Sequence, residues 1–292
     1  MELLAIFDHS TCIFSILACI LLTISYVASL YIWRTNLSRD HPSTIKRRFF
    51  SVSCMMLLAP FFMKYFLTKE TLSKGELLEH LGLRTSGWIQ ATLLPLFLTA
   101  ILFLGPLTMQ FLSGIWKLYT KFFSTEPLYW LASWQDLVWL RNHIMAPLSE
   151  EWVFRACMMP LLLQCLKAEV AIFTGPLLFG TAHFHHMFEQ MKSGYDFKTA
   201  LMVSSFQFTY TSLFGAYSAY LFLRTGHFVA PLVAHIFCNH MGFPNFGEIP
   251  QFQPLQRILI ICNFIIGFIL WCLLLTPLTT PGIYDNRLYW ET

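Results

Sequence analysis

Charge is what this chain has little of. Only 12% of its 292 residues are Asp, Glu, Lys or Arg, against 56% drawn from the apolar set of Ala, Val, Ile, Leu, Met, Phe, Trp, Tyr and Cys. A soluble domain carries about 25% charged residues, so composition alone excludes an ordinary water-soluble fold and indicates a membrane protein. No basic tract of the kind that tracks a phosphate backbone is present, and the net charge is only +3, which excludes nucleic acid as the partner. The eight cysteines show no C-x-x-C pair and no spacing of a disulfide framework. Most of them (Cys12, Cys19, Cys157, Cys165, Cys238, Cys262, Cys272) lie in apolar runs and read as small apolar side chains. The first apolar run is too long for a signal-peptide core and has no basic stretch before it, so it reads as a retained helix.

What the chain has is long apolar runs. Crossing a hydrocarbon core takes roughly 20 apolar residues in a helix. Such runs lie near 11–33, 49–68, 88–113, 148–166, 168–186, 199–223, 227–243 and 255–276. The expectation is an all-α, polytopic transmembrane helical bundle of about eight spans, forming one integral-membrane domain over 1–292 with no internal repeat. The seventh run is short enough to be a partial span. Residues 126–145 mix Tyr129, Trp130, Trp134 and Trp139 with Asp136, Arg141, Asn142 and His143. Aromatics among charges suit the membrane boundary, so an amphipathic interfacial helix is expected before the fourth span, with Pro147 breaking or kinking the backbone after it. The stretch 34–48 holds Arg34, Arg39, Lys46, Arg47 and Arg48 against one acid, Asp40, and reads as a cytosolic loop. The N-terminus is then lumenal. Lys117, Lys121, Lys192, Lys198 and Arg257 fall in later cytosolic loops.

Ionisable groups at membrane depth are costly, and each is a functional hypothesis by default. Glu150 and Glu151 are adjacent on one helix and point about 100° apart, so they do not face one site squarely. Glu151 and Arg155 are four apart and can pair, which leaves Glu150 without a local cation; an acidic start to a helix is the bland reading of both carboxylates. His183 lies one helical turn after Phe179, with His185 and His186 as boundary residues beyond it. His235 and Asn239 share a face at i, i+4, while His240 points away. Lys64, near a span end, snorkels to the headgroups. Counted from the first loop, Glu150, His183, His235 and Asn239 all fall in the cytosol-facing half of the membrane.

Four such groups suit hydrolysis. A carboxylate kept from water is a better base near neutral pH, and histidine titrates there already. Glu150 and His183 could take the proton of a water that attacks a carbonyl. His235 and Asn239 could donate to the oxyanion that forms. The same glutamate and histidines could instead bind zinc, although the helical H-E-x-x-H pattern is missing. Cys157 or Cys238 could act as a nucleophile, but a thiol in apolar surroundings is poorly ionised. A transporter or receptor could use these groups as an ion or ligand path, yet no matched halves are present. A non-catalytic scaffold would have no need of the intact set.

At these residues the sequence resembles the type II CAAX prenyl endopeptidases, glutamate-type intramembrane proteases. That family's pattern stands here as Glu150, Glu151 and Arg155; Phe179 and His183; and His235 and Asn239. The runs EEWVFRACMMP, FGTAHFHHMFEQ, FQFTYTSLFGAY, RTGHFVAP and FCNHMGFP resemble the eukaryotic branch, with the likeness concentrated in a catalytic core region over 140–245. The resemblance implies removal of the last three residues of farnesylated or geranylgeranylated C-a-a-X proteins, such as Ras-type small GTPases, in the endoplasmic reticulum membrane, with the site open to the cytosol. It implies no cofactor and no metal. It assigns water activation to Glu150 and His183 and oxyanion stabilisation to His235 and Asn239, with Glu151, Arg155 and Phe179 in support. Arg155 or another buried cation is offered to the substrate's C-terminal carboxylate.

The orientation makes a direct prediction. The sequon Asn36-Leu37-Ser38 lies on the cytosolic side and should stay unmodified, so endoglycosidase treatment of protein made in eukaryotic membranes should leave its gel mobility unchanged. A shift would invert the topology.

Overall fold

The computed structural model describes residues 9–35, 37–114 and 134–290. Among them the chain is helical, with no strand. Asn36, Lys117, Lys121, Tyr129 and Trp130 lie outside the described residues. Helices α1 (His9–Tyr31), α2 (Pro42–Phe66) and the last long helix (Pro254–Leu278) are long and apolar enough to cross a membrane. Two further helices, Trp88–Leu102 and Leu104–Leu112, reach that length only together and are bent by 69° at their junction. The run expected as one straight span is thus broken. Pro106 follows two residues after the start of the second piece, and a proline has no N–H with which to continue the ladder across the bend. The chain is a polytopic helical membrane protein with three such crossing helices, or four with the bent pair, among the described residues.

The outward faces confirm the solvent. Phe14, Leu17 and Ile24 on α1, Leu57 and Phe61 on α2, and Ile258, Ile265 and Phe268 on the last long helix are all exposed. Patches of that extent belong against lipid. Helix α2 begins earlier than expected. Pro42 has the fixed φ that suits a first helical turn, and the His41 ring accepts from the Ser43 N–H. The basic stretch read as a loop therefore ends in helix, with Lys46, Arg47 and Arg48 in the opening turns of α2.

At the centre is one continuous helical run over 137–163. It comprises α3 (Leu137–Leu140), a π segment (Arg141–Met145), α4 (Ala146–Glu151), a second π segment (Trp152–Cys157) and α5 (Met158–Leu163). Val153, Phe154, Ala156, Cys157, Met158, Met159, Leu161 and Leu162 are all buried, and a helix apolar all round belongs inside a bundle. From Leu137 the stretch expected as a separate interfacial helix is part of this run, and Pro147 does not break it. Each π segment lies just before a proline, Pro147 or Pro160, where the widened turn absorbs the missing N–H.

Around the run pack α1, α2, α6 (Ala168–Ala182), α8 (Phe197–Thr225) and α9 (Val229–Met241), while α7 (His185–Lys192) packs on α8. Small residues let α6 and α8 approach closely. A Cβ on Gly180 would come within 2.2 Å of Ser212 Oγ, and one on Gly215 within 2.9 Å of Pro176 and 3.1 Å of the Arg155 guanidinium. The short α9 starts beside buried His227 and ends near the run's π segment. One cysteine expectation is corrected: Cys12 and Cys165 form a disulfide between the start of α1 and the end of the central run. Their separation of 153 residues hides the pair from any reading of local spacing. Lys64, in the last turn of α2, is exposed, as a snorkelling lysine should be.

One side chain ties three elements at the end opposite the basic stretch. Gln164 accepts from the Thr68 N–H at 2.6 Å and donates to Ser15 Oγ at 3.1 Å and to the Phe66 carbonyl at 3.2 Å. Gln164→Leu strands a buried donor and acceptors, which costs about 1–3 kcal/mol. A melting temperature lowered by several degrees in detergent is expected; an unchanged one would show that this network contributes nothing.

Candidate active site

The two adjacent glutamates stand at the junction of α4 and the second π segment. Glu151 is fully buried and holds three partners. Its Oε1 accepts from His235 Nδ1 at 2.6 Å and lies 3.2 Å from the Arg155 guanidinium, while its Oε2 accepts from Ser218 Oγ at 2.5 Å. The i, i+4 pair with Arg155 forms as its spacing predicts. Arg155 itself is 1% exposed. Its guanidinium sits 4.4 Å over the Phe179 ring, and the absence of a side chain at Gly215 leaves it room. It does not border the cavity described below.

Glu150 is placed differently from the expectation that the two carboxylates diverge from any common site. Its Oε2 lies 3.8 Å from His235 Nε2. The imidazole enters between them and offers one nitrogen to each, so a ring with two poles reconciles side chains that point apart. Phe214 packs edge-on against this ring at 4.8 Å. Because a carboxylate only accepts, the short bond to Glu151 puts a proton on His235 Nδ1. Nε2 then donates only when the ring is imidazolium.

His183 caps the end of α6, and its Nδ1 donates to the Phe179 carbonyl at 2.9 Å. A carbonyl cannot donate, so Nδ1 carries the hydrogen and the neutral ring's Nε2 is an acceptor. The Phe179 ring meets His183 at 4.7 Å on one side and the Arg155 guanidinium on the other. It is a wedge between the buried ion pair and the exposed-side histidine.

Glu150 and His183 line one cavity of about 130 Å³, together with Tyr26, Ser149, Asn142 and Phe154. His235 stands behind Glu150 and does not border it. Asn239 is engaged elsewhere: its amide donates to the Asn142 carbonyl at 2.8 Å. That carbonyl lacks a helical donor, since the Ala146 N–H bonds to Arg141 in the π turn and Pro147 has no N–H. Among the described residues no three His, Cys, Asp or Glu side chains are grouped to hold a metal.

Sequence reasoning missed much of the cavity wall. Tyr26, whose hydroxyl meets Ser149 Oγ at 3.0 Å, comes from α1, more than a hundred residues away. His185 and His186, read as boundary residues, line the same cavity. Arg39, Arg48 and Arg141 line it too. Glu189 organises them, accepting from Arg48 and from the Tyr31 hydroxyl at 2.9 Å each and from His186 Nδ1 at 3.1 Å. Burial pushes the Glu189 carboxyl up, but these hydrogen bonds outweigh it and hold it well below the usual carboxylate range. Only the basic charge of the first loop signalled any of this.

A family model described as "Type II CAAX prenyl endopeptidase Rce1-like" matches residues 132–241, the stretch that holds Glu150, Glu151, Arg155, Phe179, His183, His235 and Asn239. The chain is 44% identical over 281 residues to "CAAX prenyl protease 2" of Homo sapiens, covering 94% of this chain and 84% of that protein. It is 32% identical over 290 residues to the protein of the same name from Arabidopsis thaliana, covering 93% and 91%. A match at 33% to the Saccharomyces cerevisiae protein covers 37% of this chain and 36% of that one. No solved structure matches.

The buried cluster sets the stability prediction. Glu151→Ala leaves the Arg155 charge buried without its counterion and should cost about 3–5 kcal/mol, whereas Ser218→Ala removes one bond to the carboxylate and should cost about 1.5–3 kcal/mol. Thermal unfolding in detergent orders the two. A Glu151→Ala protein as stable as wild type would show that the cluster carries no structural weight.

Proposed function

The chain belongs to the type II CAAX prenyl endopeptidase family, and from that premise we propose that it removes the aaX tripeptide from farnesylated or geranylgeranylated C-a-a-X proteins, Ras-type small GTPases among them, in the endoplasmic reticulum membrane. The observation that carries this reading is the meeting of Glu150 and His183, from two helices, on one small cavity.

A water between Glu150 and the His183 Nε2 lone pair can lose a proton to either acceptor as it attacks the scissile carbonyl. Nothing else on that side of the cavity needs to change protonation. Glu151 orients His235 so that Nε2 faces Glu150, where it can relay a proton, and as imidazolium it can donate toward the oxyanion. Asn239 keeps one amide N–H on the Asn142 carbonyl and has a second to offer. Glu151 and Arg155 hold this arrangement from outside the cavity, and Phe179 packs against Arg155 and His183 on its wall.

The position of the cavity fits a lipid-anchored tail. Arg39, Arg48 and Arg141 line it, and positive charge assigns their end of the bundle to the cytosol. The Cys12–Cys165 disulfide lies at the other end of α1, as an oxidising lumen would allow. With the eight apolar helical stretches counted as crossings, a prenyl chain can stay in lipid while the peptide enters from the cytosolic face.

Purified protein should cleave a farnesylated C-a-a-X peptide in the presence of a strong zinc chelator, and Glu150→Ala should lower the rate by about 100-fold or more, the scale of a lost general base. Loss of cleavage on chelation would transfer the reaction to a zinc mechanism. Failure of well-folded wild type to cleave would favour a transporter or scaffold.

A further inference from the structure

Arg155 is closed off, which leaves open how the tail's free carboxylate is held. We propose that Arg39, Arg48 and Arg141 form the subsite for the C-terminal carboxylate of the substrate; the proposal rests on the protease reading above. All three border the cavity that Glu150 and His183 line. They come from three places in the chain: the segment before α2, the first turns of α2, and the first π segment of the central run. Two acids pre-position them. Arg141 pairs with Asp40 at 2.8 Å, Arg48 with Glu189 at 2.9 Å, and Arg39 reaches Asp40 at 3.8 Å and Glu189 at 3.6 Å. Within this cluster three guanidiniums stand against two carboxylates, Asp40 and Glu189, which leaves one positive charge.

That surplus is available. Arg48 Nε is buried and has no hydrogen-bond partner among the described residues. Arg39 is half exposed, and both of its ion-pair distances are long, so its guanidinium can turn toward an incoming anion. The forked, planar donors of arginine suit a carboxylate, which they bind by two parallel N–H bonds. An uncleaved C-a-a-X tail always carries one carboxylate, at its end, whatever its side chains. An anchor for the terminal carboxylate on the wall of the cavity that Glu150 also lines would hold the tail's end while the water at Glu150 attacks.

The test compares a farnesylated C-a-a-X peptide with its C-terminal amide, in wild type and in Arg48→Gln and Arg39→Gln, with fragment masses recorded. Wild type should prefer the acid by about 10- to 100-fold in kcat/KM, the scale of a hydrogen bond to a charged group, chiefly through KM. Each variant should narrow that ratio, and Arg39→Lys should restore part of it. Melting temperatures check that the variants are folded; should Arg48→Gln not fold, the half-exposed Arg39 carries the comparison. An equal rate on acid and amide in wild type, or a ratio that the folded variants leave unchanged, overturns the subsite. Absence of any cleavage by wild type overturns the protease reading instead.

Discussion

One buried carboxylate decides the geometry of this molecule. Glu151 has no access to water, and a charge in that position must be matched by partners or it costs several kcal/mol. Its partners come from different elements: Arg155 from the same run, Ser218 from α8 and His235 from α9. Satisfying the charge therefore fixes how three helices sit against one another. Such an ion pair need not add net stability over a well-packed apolar core. What it adds is a single permitted rotation of the His235 ring, because only one of its nitrogens can meet Glu151. Glu150, the neighbouring residue, then faces the other nitrogen, and its position follows from its neighbour's.

A second constraint comes from proline. Pro147 withholds an N–H that the Asn142 carbonyl would otherwise use, and the π turn before it widens the helix. The stranded carbonyl is satisfied from outside the helix, by the Asn239 amide at 2.8 Å. The run and α9 are thus joined twice, by His235 to Glu151 and one helical turn later by Asn239 to Asn142. The spacing of four between His235 and Asn239 has a structural reason beside any catalytic one: each meets the same partner helix, at Glu151 and at Asn142.

The sequence made some of this legible and hid the rest for identifiable reasons. Apolar runs of membrane length located the helices, since lipid allows few other solutions. The i, i+4 pair of Glu151 and Arg155 was visible because a helix makes it local. The agreement of Glu150 and His183 on one cavity could be argued from depth. Its opposite wall could not: Tyr26 and Arg48 arrive from the first two helices and Arg39 from the segment between them, and no periodicity reports which face of one helix meets another. His185 and His186 were set aside as boundary residues because they follow the end of α6, yet the short α7 turns back and brings them to the cavity. The Cys12–Cys165 pair, and the bend after Leu102, depend likewise on contacts between distant residues.

The arginines divide by depth, and depth decides what each can do. Arg155, at 1% exposure, sits against Phe179 with a counterion on its own helix. To release it toward a ligand would leave Glu151 unpaired in low dielectric, so its charge is committed to the fold. Arg39 lies where water still reaches, and Arg48 and Arg141 are partly exposed, so exchanging one carboxylate partner for another costs less desolvation there than at Arg155. A cation that must hold an anion on each turnover and then let it go belongs in that second environment. The deep cation can be permanent, and the shallow ones can be exchangeable. The carboxylates sort the same way, with Glu151 locked among its partners and Glu150, 3.8 Å from His235, on the cavity wall.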